Sequence, residues 1–489
     1  MKRYIEFVIL GISMLFFGCA EDKGNYDYTP INELTISGIP QDTSVVHLEV
    51  LKIKPVFTRS LFASEEHLEY SWKIEGKEIA TTRDLEYEVS PEWQIKKHDC
   101  LYTVTDTETG MKYFQMFNIS VGSSFSWGYY FLCEELDGST VLSYFSSKEG
   151  TTECLHTKQC GDYVFGKYPK AMIDKFGYIN SLKDYYYTMY IITSEGENSV
   201  IVTDNAAFMP TSLINNSSLI YQGENFMPTE GIGMLTGDVC FLSNGKLMKY
   251  ASGLLYRPAK HDKDYYWSHT ASAYNYIYAY DELSKKFYIL KNQINDPETG
   301  LVMDQYAYDR VVEIQDQPSY EGQTIFCQMV NRSHIMYMAT AGNNQVNLMK
   351  FEYIDSRKGT ETLPALNEYG HVQEMITLQL ADADKNTKGV LVAEKDWYFV
   401  VGNKVYTSPV LLPKLSDFVT LPSDLGEVTS VGLSSKGTQL IIATYDANST
   451  EKYKGSFVLV DLMSKKLTVH KNVMSRCVVA KGYDANPLF

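Results

Sequence analysis

Asp238-Val-Cys-Phe-Leu242, Asn244-Gly245 and Lys246-Leu-Met-Lys-Tyr250 follow one another as an apolar run, a tight turn and a second run. Asn-Gly between two strand-like segments is the strongest short-range hairpin signal, because both turn residues tolerate positive φ. Six further stretches share this plan. They are Gly128–Leu132 with Asp137–Ser143, Tyr187–Ile192 with Glu195–Val202, and Tyr276–Tyr280 with Phe287–Leu290. The others are Ile335–Ala339 with Gly342–Leu348, Trp397–Val401 with Gly402–Tyr406, and Leu440–Ala443 with Phe457–Val460. Their starts lie about 40–60 residues apart, the spacing of hairpin repeats that bury their faces by radial stacking. Residues 123–489 are therefore expected to form a β-propeller-like domain, with seven blades preferred and a series of β-sandwiches as the competing arrangement. Ser475–Lys481 is the segment that would complete a blade and lock the ring. Helical periodicity is scarce, with Met172–Leu182 as a weak candidate.

The chain before that point reads differently. Leu34–Ile36, Val45–Val50, Leu68–Ile74, Leu85–Val89, Cys100–Asp106 and Tyr113–Val121 alternate in polarity and are separated by turn residues. Glu75-Gly76-Lys77 and Thr107-Glu108-Thr109-Gly110 are two such turns. Short alternating strands at this spacing predict a small β-sandwich over residues 31–122, with Trp72, Leu85, Tyr102 and Val104 in its core. The whole chain is thus expected to be all-β.

Lys23-Gly24-Asn25-Tyr26-Asp27-Tyr28 leads into Asn32–Ile39, then Tyr70-Ser71-Trp72 with Gly76, then Tyr102–Asp106 through Thr109-Gly110. Together these resemble the PKD-like family of Bacteroidota surface lipoproteins. The resemblance covers roughly residues 20–122 and implies an immunoglobulin-like (PKD/Ig-like) module without catalytic residues of its own. It also implies a place in a cell-surface nutrient-capture system, beside an outer-membrane importer of the SusC/SusD type.

Residues 1–18 have the layout of a signal peptide: Lys2 and Arg3, an apolar run from Phe7 to Phe17, then Gly18 ahead of Cys19. The run is shorter than the ~20 residues needed to span a bilayer. A Cys after the small residue resembles a bacterial lipoprotein signal, which implies lipid on Cys19; an ordinary secretory signal is the alternative. Glu21-Asp22 resembles the export signal that sends such proteins to the outer face of the outer membrane. Residues 19–30 then act as a lipidated tether, and the lipid is the expected membrane contact.

A net charge of −16 on 489 residues, with no basic cluster, repels phosphate backbones and argues against a nucleic-acid partner. The 38 Tyr against 22 Phe and 5 Trp suit strand surfaces and binding faces alike. Eight Cys without a CxxC form neither a zinc pattern nor a disulfide framework. Cys154 and Cys160 are close enough in sequence to bridge, with buried thiols as the other reading.

Candidate ligand-binding residues cluster at His261–His269. Asp262, Asp264, Tyr265, Tyr266 and Trp267 read as a loop ahead of a tyrosine ladder, Tyr274, Tyr276, Tyr278 and Tyr280. Aromatic faces beside carboxylates suit a sugar ring or an extended peptide, whereas a ladder packed between blades would serve structure only. Tyr185, Tyr186 and Tyr187 form a second cluster of the same kind. Asp382-Ala-Asp384-Lys-Asn386 opens like a calcium loop, but Thr387 stands where the turn Gly belongs and Ala393 where the bidentate Glu belongs. No HExxH, GxSxG, Walker or GxGxxG motif occurs, so no metal, cofactor or catalytic residue is assigned. The expected function is non-catalytic binding of a glycan or peptide. A propeller hydrolase acting on polysaccharide or peptide, or a structural accessory subunit of the importer, are the alternatives.

Overall fold

The computed structural model describes residues 31–484, apart from 47–48, 91–92, 94–95, 123–126, 147–153, 180–183, 205–208, 221–222, 235–238, 257, 259–260, 262, 273–275, 292–307, 309, 330–334 and 356–367. Two compact units are present, the first including Glu49–Val89 and Lys96–Ser120, the second running from Val121 onward.

The first unit is a β-sandwich. Its larger sheet has five strands in the order Asp42–Val46, Lys112–Gly122, Lys97–Asp106, Leu68–Ile74 and Lys77–Ala80. Two strand pairs, Leu34–Ser37 with Val56–Arg59 and Val50–Ile53 with Leu85–Glu88, complete it. The run Val45–Val50, read as one strand, ends one strand and begins another belonging to a different sheet. The expected core residues are buried, with Trp72, Tyr102 and Val104 at 0% exposure and Leu85 at 2%. The indole of Trp72 stacks on Tyr102 at 3.9 Å and donates from Nε1 to the carbonyl of Thr82 at 2.8 Å. A large apolar ring is thus buried with its polar atom satisfied.

In the second unit the described residues form seven four-stranded antiparallel blades. Each is given from its inner to its outer strand, and six use consecutive strands. Blade 2 is Lys167–Ile179, Asp184–Glu195, Val200–Asp204 and Met209–Ile214; blade 3 is Pro228–Gly233, Val239–Ser243, Lys246–Ala251 and Leu254–Leu255. Blade 4 is Trp267–Ser272, Tyr276–Asp281, Lys286–Lys291 and Arg310–Gln315; blade 5 is Thr324–Met329, Ile335–Gly342, Gln345–Asp355 and Glu368–Gln379. Blade 6 is Lys388–Val392, Asp396–Val401, Lys404–Pro409 and Ser416–Thr420; blade 7 is Glu427–Leu433, Gln439–Tyr445, Gly455–Asp461 and Leu467–Met474. The helix candidate at Met172–Leu182 is overturned, since Met172–Ile179 is part of the long inner strand of blade 2. The outer strands of blades 4 and 5 meet in a short parallel pairing, Ile314 with Gly370 and Gln315 with His371.

Blade 1 is assembled from both ends of the unit. Trp127–Glu134, Thr140–Ser146 and Cys154–Thr157 are its second, third and outer strands, and Arg476–Asp484 from the C-terminus is its inner strand. The segment expected to lock the ring does so, over a slightly longer span. Seven apolar clusters then lie one between each pair of consecutive blades, including blade 7 against blade 1. This is a closed β-propeller. No blade could bury both faces alone, and ring closure leaves no blade with an uncovered face.

The seam between blades 7 and 1 is tight. Gly432 and Gly482 sit where a side chain would strike the backbone at Ala480 and at Leu433–Ser435 of the neighbouring inner strand. Ala480 N also donates to Ser430 Oγ across the seam at 3.1 Å.

Candidate functional site

Strands alternate in direction within a blade, so the starts of the inner strands and the turns between second and third strands share one end of the ring. At that end, where blades 6, 7 and 1 meet, lies a cavity of about 700 Å³. The starts of three inner strands bring Lys388, Glu427 and Arg476 into its wall, and the turn of blade 6 adds Asn403 and Lys404.

Local geometry explains each placement. Gly402-Asn403 is the two-residue turn between paired Val401 and Lys404, with Gly402 at φ 56°, and hairpins favour positive φ there. Asn403 is fixed further by Nδ2 donating to the carbonyl of Leu421 at 3.2 Å. Gly426, at φ 78°, starts the blade 7 strand against the backbone of Tyr445 and Asp446, where no β-carbon fits. The stretch that opened like a calcium loop forms another wall. Asp384 Oδ1 accepts from Asn386 N at 2.8 Å, and Asp384 N donates to Thr387 Oγ1 at 3.0 Å. It is a self-bonded turn, and among the described residues no cluster of metal-ligating side chains occurs.

The electrostatics of this wall are uneven. Arg476 pairs with Glu427 at 2.7 Å, tying the first residues of two inner strands together. Lys388 is half-buried, and burial holds its ammonium below the ordinary lysine value; the neighbouring Arg476 lowers it further, while Glu427 and Asp384 counteract. Lys388 and Arg476 converge here; Arg476 is paired with Glu427, while among the described residues no ion pair to Lys388 occurs. An anionic group seated between them would relieve the repulsion.

The residues expected to bind ligand lie elsewhere, at the blade 3–4 boundary. Trp267 is the first residue of the blade 4 inner strand and not part of a loop, and it is 3% exposed. Its indole stacks on half-buried Tyr265 at 4.4 Å and meets Tyr288 edge-on at 5.8 Å. Lys263 Nζ lies 5.1 Å from the Tyr265 ring centre. Tyr266 is exposed, with its ring against Gly245 in the neighbouring turn, and Asp264 is exposed too. Tyr276, Tyr278 and Tyr280 do share a face, but that face is packed against Met336, Met338 and Phe351 of blade 5. The intervening Ile277 and Ala279 face Cys240 and Leu242 of blade 3. The ladder is therefore interblade packing. Asp262, Tyr274 and Cys19 lie outside the described residues. Tyr185–Tyr187 fall in the second strand of blade 2. Cys160 is buried, at 1% exposure.

Residues 19–167 match the PKD-like family. That stretch takes in the sandwich, the three N-terminal strands of blade 1 and the first residue of blade 2. No curated protein matches the chain. Among solved structures, similarity is found to a quinonprotein alcohol dehydrogenase-like protein from Bacteroides thetaiotaomicron. It is 14% identical, with 89% of this chain and 94% of that one covered and a TM-score of 0.42. A chain of a mitotic checkpoint complex is 10% identical, covering 64% and 87%, with a TM-score of 0.36. A chain of a nidogen/laminin complex is 10% identical, covering 73% and 98%, with a TM-score of 0.35.

Proposed function

We propose that this protein is a lipid-anchored surface protein of the outer membrane whose propeller captures a carboxylate-bearing glycan or peptide for a SusC/SusD-type importer. The observation that carries the binding reading is the cavity at blades 6, 7 and 1, of a size suited to a small ligand or the end of a chain. Lys388 and Arg476 supply the anion contact, with Arg476 offering a planar fork of donors. Asn403 and Asp384 supply polar contacts to hydroxyl or amide groups. The match to the PKD-like family and the resemblance of residues 1–19 to a lipoprotein signal support the surface placement. Holding such a site beside a channel raises the local ligand concentration there.

The test is retention of acidic and neutral glycans and of peptides by the purified body, compared with Lys388→Met and Arg476→Lys variants. Retention of acidic ligands, lost in the variants at unchanged melting temperature, supports the proposal. Release of cleaved product, abolished by Glu427→Gln, replaces it with the hydrolase. Silence towards every ligand together with co-purification of the importer replaces it with the structural subunit. Labelled palmitate failing to enter the protein, or entering a Cys19→Ala variant, removes the anchor.

A further inference from the structure

One line of side chains crosses blade 1 from its inner to its outer strand. Cys477 on the inner strand is directly opposite Cys133 on the second, beside a register shift at Leu132/Cys133. Both are free thiols, 1% and 0% exposed, in the core between blades 7 and 1. Cys133 Sγ lies 3.9 Å from Ser143 Oγ on the third strand. Ser143 Oγ is 2.8 Å from Nδ1 of His156 on the outer strand, whose ring packs 4.5 Å from that of Tyr453.

We propose that Cys133 and Cys477 are a disulfide site that joins the two ends of the ring covalently. Directly opposed residues of an antiparallel pair have Cα atoms about 4.5–5.5 Å apart, inside the ~4.4–6.8 Å range that a disulfide bridges. Because both sulfurs are buried once the last strand is in place, the exchange begins before docking. The Cys477 thiol, exposed on the undocked strand, loses its proton to water and attacks an external small-molecule disulfide. One S–S bond breaks, a mixed disulfide forms and one external thiol leaves. Docking then sets that mixed disulfide against Cys133. The Cys133 proton passes by way of Ser143 Oγ to His156 Nδ1, and the thiolate displaces the second external thiol. Two protein thiols are oxidised and one external disulfide is reduced to two thiols. Burial, with Lys452 contributing, holds the His156 imidazole below its ordinary pKa, so it is neutral and able to accept the proton at neutral pH.

The experiment refolds the full chain in oxidised glutathione and maps its peptides without reduction. The expected result is a Cys133–Cys477 cross-linked peptide, an intact mass lower by two hydrogens, and at least a tenfold slower unfolding rate than the reduced chain. His156→Ala should leave the cross-link in place but slow the loss of the glutathione adduct on Cys477 severalfold, which a packing defect alone would not do. Finding both thiols open to alkylation after denaturing the oxidised, refolded chain overturns the proposal, as does a glutathione adduct on Cys477 that persists. Peptide mapping of the unmutated chain decides the matter even if a variant fails to fold.

Discussion

The Cα of Gly432 packs against the carbonyl oxygen of Ala480 so closely that a β-carbon would overlap it. This places the two inner strands of the closing seam at backbone contact. Gly432→Ala is therefore expected to force the strands apart at a cost of about 1–3 kcal/mol, the usual range for overpacking. Thermal unfolding would show the loss, and limited proteolysis should cut first at the strand Arg476–Asp484. A variant as stable and as resistant as the parent would mean the seam has slack that the packing does not reveal.

In the sandwich, Arg59 and Asp106 form a buried ion pair at 2.9 Å, with side chains 6% and 8% exposed. Burial pushes the Asp106 carboxyl up, but backbone hydrogen bonds from Thr109 and Glu108, with Arg59, outweigh it and hold the carboxyl below the ordinary value. A depressed folded-state pKa contributes stability present above the unfolded value and lost as pH falls through the folded one. The sandwich should lose that contribution in acid, below the ordinary aspartate value of 3.8. Asp106→Ala strands the Arg59 charge and should cost about 3–5 kcal/mol, measured by chemical denaturation of the sandwich transition.

Glu230, on the inner strand of blade 3, titrates the other way. Burial raises its carboxyl, and hydrogen bonds from Thr270 N at 2.9 Å and Thr270 Oγ1 at 2.5 Å only partly offset this. The folded chain therefore binds this proton more tightly than the unfolded one. Its contribution is fully present below pH 4.5 and is lost as pH rises through the folded value. Glu230→Gln should remove that fall from the stability–pH curve; an unchanged curve would reassign the titration to another group.

Trp267→Ala should cost about 3–5 kcal/mol, because it empties a packed site beside Tyr265 and Tyr288. Tyr266→Ala, at an exposed ring, should change stability by less than about 0.5 kcal/mol. Paired denaturation curves check both. Equal effects from the two would contradict the burial difference.

What the sequence showed of the propeller follows from burial. The seven recognised hairpins are the second and third strands of the seven blades, which are covered on both faces. Val239–Ser243, Tyr276–Asp281 and Gly455–Asp461 accordingly read as nearly unbroken apolar runs. Outer and inner strands were harder to see. Ser416–Thr420 has no buried residue, and Glu427–Leu433 has only Ser430 buried. Blade count was therefore legible while blade membership was not. The site was invisible for a different reason. Lys388, Glu427 and Arg476 are far apart in sequence and obey no motif; only closure of the ring gathers them. Asp382–Asn386 carries carboxylates without a complete metal pattern, and nothing in its sequence marks it as a wall of the cavity. Trp267 and the tyrosines read as binding residues in sequence because aromatic residues serve packing and recognition equally well.

Arg476–Asp484 is the last of the described propeller strands in chain order, yet its partner strand Trp127–Glu134 is the first. Blade 1 must therefore wait, one strand short, while six blades are synthesised and stacked. A chain stalled or clipped before Arg476 would hold an open ring with a bare sheet edge, a template for the same strand of another copy. Quality control of the ring thus turns on this one strand, and termination ahead of it should yield swapped oligomers instead of a closed monomer.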